Sequence, residues 1–256
     1  MDQKFYKYQG TGNDFILIDG RSTDFNHNVA LLCDRKFGIG ADGLMVLKNH
    51  KDCDFEMVYY NSDGKISSMC GNGGRCIVAF AQFLGIIATK TTFLAVDGMH
   101  EAKILENRVS LGMNDVSAIK VYQNIDLIID TGSPHYLKQI TDLASLNLLT
   151  EARQIRYNND FSTNGINVNF IALHHGKAHI RTYERGVEDE TLSCGTGVTA
   201  AALAIHHWQK EGEGIFEKKI ITQGGELVVI FSYTNHIGYT DILLQGPALQ
   251  VFKGEI

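Results

Sequence analysis

Two stretches stay apolar on nearly every side when wound at 3.6 residues per turn: residues 76–84, CIVAFAQFL, and residues 200–205, AAALAI. Helices apolar all round are buried helices, so each predicts a helix at the centre of its own core. Shorter apolar or alternating runs bounded by turn signals predict strands. In the first half these are residues 4–8, 15–19, 44–47, 55–60, 91–96, 102–105 and 108–113; in the second, 127–130, 167–173, 178–183, 219–222, 226–231 and 238–244. Val29, Leu32, Cys33, Lys36 and Phe37 recur near helical spacing and predict a helix over 28–37 with Gly38 as its stop. A second short helix is expected over 142–149. Gly10-Thr11-Gly12-Asn13-Asp14, Asn61-Ser62-Asp63-Gly64 and Thr131-Gly132-Ser133-Pro134-His135 read as turns.

Each buried helix follows the same local pattern, a cysteine and then glycines: Cys70-Gly71-Asn72-Gly73-Gly74 and Cys194-Gly195-Thr196-Gly197. Cys194 lies 124 residues after Cys70, and Thr131-Gly132 lies 120 after Thr11-Gly12. An internal duplication is the simplest account. The expected fold class is α+β, two pseudo-symmetric domains over 1–115 and 116–246, with a strand near 247–256 returning to the first. Two copies about an approximate two-fold axis would turn their helix starts toward each other across a cleft.

Composition narrows the picture. A chain of 256 residues with 44% hydrophobic and 20% charged residues supports sizeable cores. A net charge of −6 without a concentrated basic patch argues against a nucleic-acid partner. Residues 1–7 hold no apolar run of signal-peptide length, and no stretch reaches the roughly 18 residues of a membrane span. No membrane partner and a cytoplasmic location are therefore expected. Five cysteines without C-x-x-C spacing indicate neither a disulfide framework nor a zinc site.

A thiol at the start of a buried helix meets unpaired backbone N–H groups and the positive end of the helix dipole, which favour the thiolate and lower its pKa from about 8.5. The glycines that follow let a carboxylate approach the same N–H groups. One thiol on each side of a carbon could remove a proton from one face and return one to the other, which inverts a stereocentre without a cofactor or metal. A redox pair, Cys70 with Cys194, is the rival reading, and a buried structural thiol accounts for either copy taken alone. Phosphate binding is disfavoured, because Gly71-Asn72-Gly73-Gly74 is not G-x-x-x-x-G-K-[ST]. Cys33 and Cys53 read as small core residues. The pairs His174-His175 and His206-His207 read as surface or packing residues, since adjacent side chains diverge. His135 sits in the turn matching the Asn13 region and is a candidate for tuning a thiol.

At these residues the chain resembles the diaminopimelate epimerases. The resemblance spans the whole sequence: Gly12-Asn13-Asp14-Phe15, Gly38-Ile39-Gly40-Ala41-Asp42-Gly43, Asn61-Ser62-Asp63-Gly64, Cys70-Gly71-Asn72-Gly73, Gly165-Ile166-Asn167-Val168-Asn169-Phe170, Glu184-Arg185-Gly186 and Cys194-Gly195-Thr196-Gly197. It implies that Cys70 and Cys194 are the acid and base that interconvert LL- and meso-diaminopimelate, without a cofactor, in the synthesis of lysine and cell-wall precursors. Gly71, Asn72, Gly195 and Thr196 would hold the reacting carboxylate. Asn13, Asn61, Asn167 and Arg185 would grip the distal L-configured end, with Glu184 and His135 flanking the thiols and modulating their pKa. It further implies two similar domains, each a mixed sheet or barrel wrapped around a central helix, and a homodimer with Phe252 at its interface. Three features depart from the family pattern: Ser133 stands in a frequent Asn-Pro-His turn, Gly43 replaces a glutamine contact seen in some members, and the stretch at Glu188-Asp189 is one residue longer than in some. A proline-racemase relative, which would not need the Asn61, Asn167 and Arg185 clamp, and a non-enzymatic amino-acid-binding or thiol redox protein are the competing readings.

Overall fold

The computed structural model describes residues 3–22, 24–67, 69–174 and 176–256; His175 and the first two residues of the N-terminal stretch lie outside them. In chain order the elements are β1 (Lys4–Gly10), β2 (Asn13–Asp19), α1 (Val29–Cys33), β3 (Gly43–Lys48), β4 (Phe55–Asn61), α2 (Gly71–Phe83), β5 (Lys90–Ala95), β6 (Gly98–Leu105) and β7 (Arg108–Gly112). They continue with β8 (Lys120–Tyr122), β9 (Asp126–Asp130), β10 (Pro134–Gln139), α3 (Leu148–Arg156), β11 (Asn167–His174), β12 (Lys177–Glu184), β13 (Asp189–Thr191), α4 (Gly195–Gln209), β14 (Gly214–Thr222), β15 (Gly225–Thr234), β16 (Gly238–Gly246) and β17 (Leu249–Glu255). The chain divides into two compact units, one holding the described residues up to Gly112 together with Gly246–Ile256, the other Met113–Gln245.

In the first unit β1 and β2 form an antiparallel hairpin, and β3 joins β2 in parallel after the α1 crossover. Strand β4 returns antiparallel, β5 joins β4 in parallel after α2, and β6 and β7 complete a meander. The C-terminal β17 adds antiparallel to the free edge of β1, so the chain ends in the unit where it began. Helix α2 packs on β1, β2, β3, β6 and β7, with Cys76, Ile77, Val78, Phe80 and Ala81 fully buried.

The second unit repeats this order. Strands β9 and β10 are antiparallel, β11 joins in parallel after α3, β12 returns, and β14 pairs in parallel with β12 after α4. The antiparallel strands β15 and β16 close the series. Helix α4 lies against β9, β10, β11, β12, β14 and β15. Its alanine run 200–202, with Val198, Leu203 and Ile205, is buried, and the short side chains let the sheet approach the helix closely. Each unit is thus a mixed sheet built around one buried helix.

Local chemistry moved three expected elements. Helix α1 stops at Cys33 instead of continuing to Phe37, because the Asp34 carboxylate accepts from the backbone N–H groups of Lys36 and Phe37 and turns the chain. The helix expected over 142–149 begins at Leu148, with the Asn147 side chain capping the N–H of Thr150. The turn expected to reach His135 ends at Ser133, and His135 lies within β10. Proline is tolerated at the first position of a strand, as Pro134 is here.

Candidate active site

Both helices open on their cysteine. Cys70 (φ −100°, ψ 127°) and Cys194 (φ −119°, ψ 114°) are extended N-cap residues, and neither side chain caps its helix. Neither thiol therefore takes up the first-turn N–H groups of its own helix. Small residues are required here: a Cβ on Gly73 would sit 2.2 Å from Met45 Cε, and one on Gly197 would sit 2.7 Å from Asn169 Oδ1.

In the first unit the β1–β2 hairpin turns through Thr11 (φ 51°) and Gly12 (φ 84°), which places Asn13 beside the start of α2. Asn13 Oδ1 lies 3.5 Å from Cys70 Sγ, which donates to it, and accepts from Asn72 Nδ2 at 3.3 Å. The amide is oriented from behind, because Asn13 Nδ2 donates to Asp42 Oδ2 at 2.5 Å. Asp42 is held by Arg35 at 2.8 Å, and Arg35 also grips Asp14, which pairs with the buried Lys7 at 2.7 Å. Burial pushes the Asp14 carboxyl up, but the hydrogen bonds from Arg35 and Lys7 outweigh it and bring the group to about 2. Asn61 stands exposed at the end of β4, opposite Gly43, and its side chain makes no hydrogen bond among the described residues. The space a residue 43 side chain would need is filled, since its Cβ would meet Tyr59 Cε2 at 2.6 Å and the Tyr60 carbonyl at 2.7 Å.

Arg75 is a residue the sequence reading passed over. It is fully buried on α2 and has no carboxylate partner among the described residues. Its guanidinium donates to Gly71 O (3.1 Å), Asn72 Oδ1 (3.0 Å), Thr11 Oγ1 (3.4 Å) and Pro247 O (3.4 Å). Burial pulls its pKa down to about 10. A lone arginine inside an otherwise apolar helix was the available signal.

In the second unit Cys194 Sγ lies 3.4 Å from Thr196 Oγ1, and Thr196 Oγ1 lies 2.9 Å from His135 Nε2. Asn167, Arg185 and Ser133 form one cluster: Asn167 Nδ2 donates to Ser133 Oγ at 2.9 Å, Asn167 Oδ1 accepts the Arg185 N–H at 2.9 Å, and Arg185 Nη2 reaches Ser133 Oγ at 3.4 Å. Ser133, the departure from the family turn, thus contacts both Asn167 and Arg185, two of the residues expected to grip the distal end. The Arg185 guanidinium is exposed and has no ion-pair partner among the described residues. Glu184 precedes it at the end of β12. The longer loop after it is anchored by Glu188 (φ 58°), whose carboxylate takes hydrogen bonds from Arg156, Tyr157, Tyr183 and the Gly186 N–H.

The other cysteines, and the described histidines of the two adjacent pairs, lie in the core or at the surface. Burial pushes the Cys33 thiol up to about 11 and the Cys76 thiol up to about 12, so both stay protonated at neutral pH. Cys53 contacts His50 and the Phe55 carbonyl. His206 is enclosed by Phe216, Phe231, Tyr233 and Tyr239, with both ring nitrogens hydrogen-bonded, while His174 and His207 are exposed.

His135 gives the second unit a pH dependence. Burial, and then the charge of Arg185, lower its pKa from 6.5 to about 3. The folded state therefore keeps it neutral while the unfolded chain takes up a proton below 6.5, so stability is lost as pH falls through 6.5 toward 3. His206 shifts in the same direction through burial. Between pH 7 and 5 the loss due to His135 is about 2 kcal/mol. Calorimetric melting should show the transition falling over that interval, with a shallower fall in His135→Phe; equal slopes in the two proteins would contradict the assignment.

The diaminopimelate epimerase family model matches residues 5–117 and 127–244. The chain is 51% identical to the diaminopimelate epimerase of Flavobacterium psychrophilum, over 99% of this chain and all of that one. Among solved structures it superposes on a phenazine biosynthesis protein of the PhzF family from Bacillus anthracis with a TM-score of 0.80 at 13% identity, covering 100% and 99% of the two chains. On a probable proline racemase from Agrobacterium radiobacter the TM-score is 0.68 at 14% identity, covering 99% and 92%. At such identity the structural likeness speaks for the fold alone.

Proposed function

We propose, for a chain that belongs to the diaminopimelate epimerase family, that it converts LL-2,6-diaminopimelate to the meso form by a cofactor-independent exchange of protons between two cysteines. The observation that carries this is that each unit places a cysteine, Cys70 or Cys194, at the uncapped start of its own buried helix. The α-hydrogen of an amino acid is poorly acidic because the neighbouring carboxylate is already negative. N–H groups of Gly71, Asn72, Gly195 and Thr196 would hold that carboxylate and stabilise the charge that develops on it, as an oxyanion hole does. One thiolate withdraws the proton and the other thiol supplies one from the opposite face. The thiol that took the proton releases it to solvent and the thiolate left on the other side takes one up, so the resting pair is restored and no reagent is consumed.

The distal amino acid is read by Asn13, Asn61, Asn167 and Arg185. A guanidinium matches a carboxylate, and amide oxygens match an ammonium. The exposed Arg185 beside Asn167 and Ser133, without an ion-pair partner among the described residues, supports that role. Glu184 and His135 adjust the thiols. The product would serve lysine and peptidoglycan synthesis in the cytoplasm, and the chain would act as a homodimer.

The test is incubation of LL-diaminopimelate with the protein in deuterated water. Deuterium at the α-carbon of newly formed meso product is expected, with proline left unlabelled. Arg185→Met should lower kcat/KM by about 100-fold, the loss of one charge-assisted contact of about 3 kcal/mol. Uptake into proline with none into diaminopimelate would transfer the assignment to the racemases.

A further inference from the structure

The duplication supplies an internal comparison. Strand registers equate Phe15, Met45 and Tyr59 of the first unit with His135, Asn169 and Thr182 of the second: Phe15 lies opposite Gly43 and His135 opposite Asn167, while Met45 lies opposite Tyr59 and Asn169 opposite Thr182. Met45 and Asn169 each press on the glycine three residues after their cysteine. Behind Cys70 the trio is aromatic and aliphatic, with Phe15 and Tyr59 edge to face at 6.0 Å. Behind Cys194 all three are polar and at most 3% exposed. Burying polar groups is unfavourable unless they are fully bonded, and the sister unit packs the same place with apolar residues. The polar trio therefore calls for a role other than packing.

Its hydrogen bonds have a direction. Asn169 Oδ1 accepts from the Thr182 hydroxyl at 2.9 Å, and Asn169 Nδ2 donates to the Tyr136 carbonyl at 3.1 Å. A reversed amide would set oxygen against oxygen at Tyr136, so Nδ2 is also what faces His135 Nδ1, at 3.1 Å. Nδ1 must then be the bare acceptor nitrogen, and the ring proton sits on Nε2. Nε2–H donates to Thr196 Oγ1, which leaves the Thr196 hydroxyl hydrogen for the Cys194 sulfur at 3.4 Å.

We propose that Asn169 is a positioning residue: together with Thr182 it fixes the Nε2–H form of His135 and so aims the Thr196 hydroxyl at the sulfur of Cys194. Donation to sulfur favours thiolate. At Cys70 the polarity is opposite, since that thiol donates to Asn13 Oδ1, whose orientation Asp42 sets. Cys194 is thus the resting thiolate and Cys70 the resting thiol. Arg185 is the charged group acting on His135, and it opposes a second proton there. The catalytic meaning rests on the two-thiol reading above, but the test needs no turnover.

Two measurements decide it. In unaltered protein labelled with nitrogen-15 histidine, long-range proton–nitrogen spectra should show His135, assigned by its loss in His135→Gln, with a protonated Nε2 and a bare Nδ1. A proton on Nδ1 would overturn the proposal. Second, the pH profile of iodoacetamide alkylation is read separately on the Cys70 and Cys194 peptides. Cys194 should titrate below Cys70. Thr196→Val should raise the Cys194 midpoint by about one pH unit, a roughly tenfold loss of alkylation below the midpoint. Asn169→Leu should raise it similarly, and the double variant no further than Thr196→Val alone. Thr182→Val, a smaller change, should move it in the same direction. The Cys70 profile should stay fixed throughout, which general loosening of the fold would not allow. An unmoved Cys194 midpoint in Asn169→Leu, or additive shifts, would overturn the relay. Shifted midpoints in a protein that leaves diaminopimelate unlabelled would uphold the relay and remove the proposed reaction instead.

Discussion

Alanine at Cys70 or at Cys194 is expected to lower the rate of inversion by at least about 10³-fold, as befits loss of a group that transfers the reacting proton. The two variants should nevertheless differ in what they keep. On the two-thiol proposal the remaining thiol, once ionised, would face only one side of the α-carbon, so it would remove and return hydrogen on that side without inverting the centre. Cys70→Ala should therefore exchange deuterium into one epimer with retention, and Cys194→Ala into the other. Chiral separation with mass detection of each epimer resolves the four combinations. Because the chemical step is what each variant lacks, the loss falls on kcat more than on KM. Cys33→Ala and Cys76→Ala serve as controls, since burial holds both thiols protonated near 11 and 12. Inversion surviving in either active-site variant, or exchange confined to the same epimer in both, would be incompatible with one thiol per face.

The residues that carry this scheme were visible in the sequence because they are local. A cysteine, glycines and an apolar run specify a helix start within about ten positions, and two copies at matched spacing mark a duplication. The strands were legible for the same reason, through short-range alternation and turn residues. What escaped depends on partners distant in sequence. Helical spacing at Lys36 and Phe37 could not show that Asp34 would take their N–H groups, and Pro134 looked like part of a turn although it opens β10. Asn169 stands within a family motif, but nothing local in the sequence gives it a role. The role proposed for it depends on β10, β11 and β12 bringing His135, Tyr136 and Thr182 around it. The detectable hint was an asparagine inside the run Val168–Ala172, whose other members are buried and apolar. Gly43 shows the converse, a departure from the family pattern legible in the sequence that only the packing of Tyr59 and Tyr60 explains.

Arg75 carries the largest expected effect on stability. Its side chain joins three parts of the first unit that are remote in sequence: the first turn of α2 through Gly71 and Asn72, the hairpin through Thr11, and the returning C-terminal segment through Pro247. Two opposing magnitudes decide the outcome. Removing the guanidinium relieves the burial of a charge, a penalty of about 3 kcal/mol from the fall of its pKa from 12.5 to about 10. It also removes a charged donor from four acceptors, Gly71 O, Asn72 Oδ1, Thr11 Oγ1 and Pro247 O, at about 1.5–3 kcal/mol for each such hydrogen bond. The second term wins, and Arg75→Met should destabilise the unit by about 3 kcal/mol. Arg75→Lys should do no better, because an ammonium keeps the desolvation penalty while a single nitrogen cannot span acceptors arranged for a planar fork. For a chain of this size each lowers the melting midpoint by about 6–12 °C. The loss should also reach the site, since Asn72 and Thr11 are then free to shift beside Cys70, and kcat/KM should fall in both variants below their melting range. Calorimetry with assays at a common low temperature separates the two effects. A lysine variant that melts with the wild type would show that charge, and not the guanidinium's geometry, is what the first unit requires at this position.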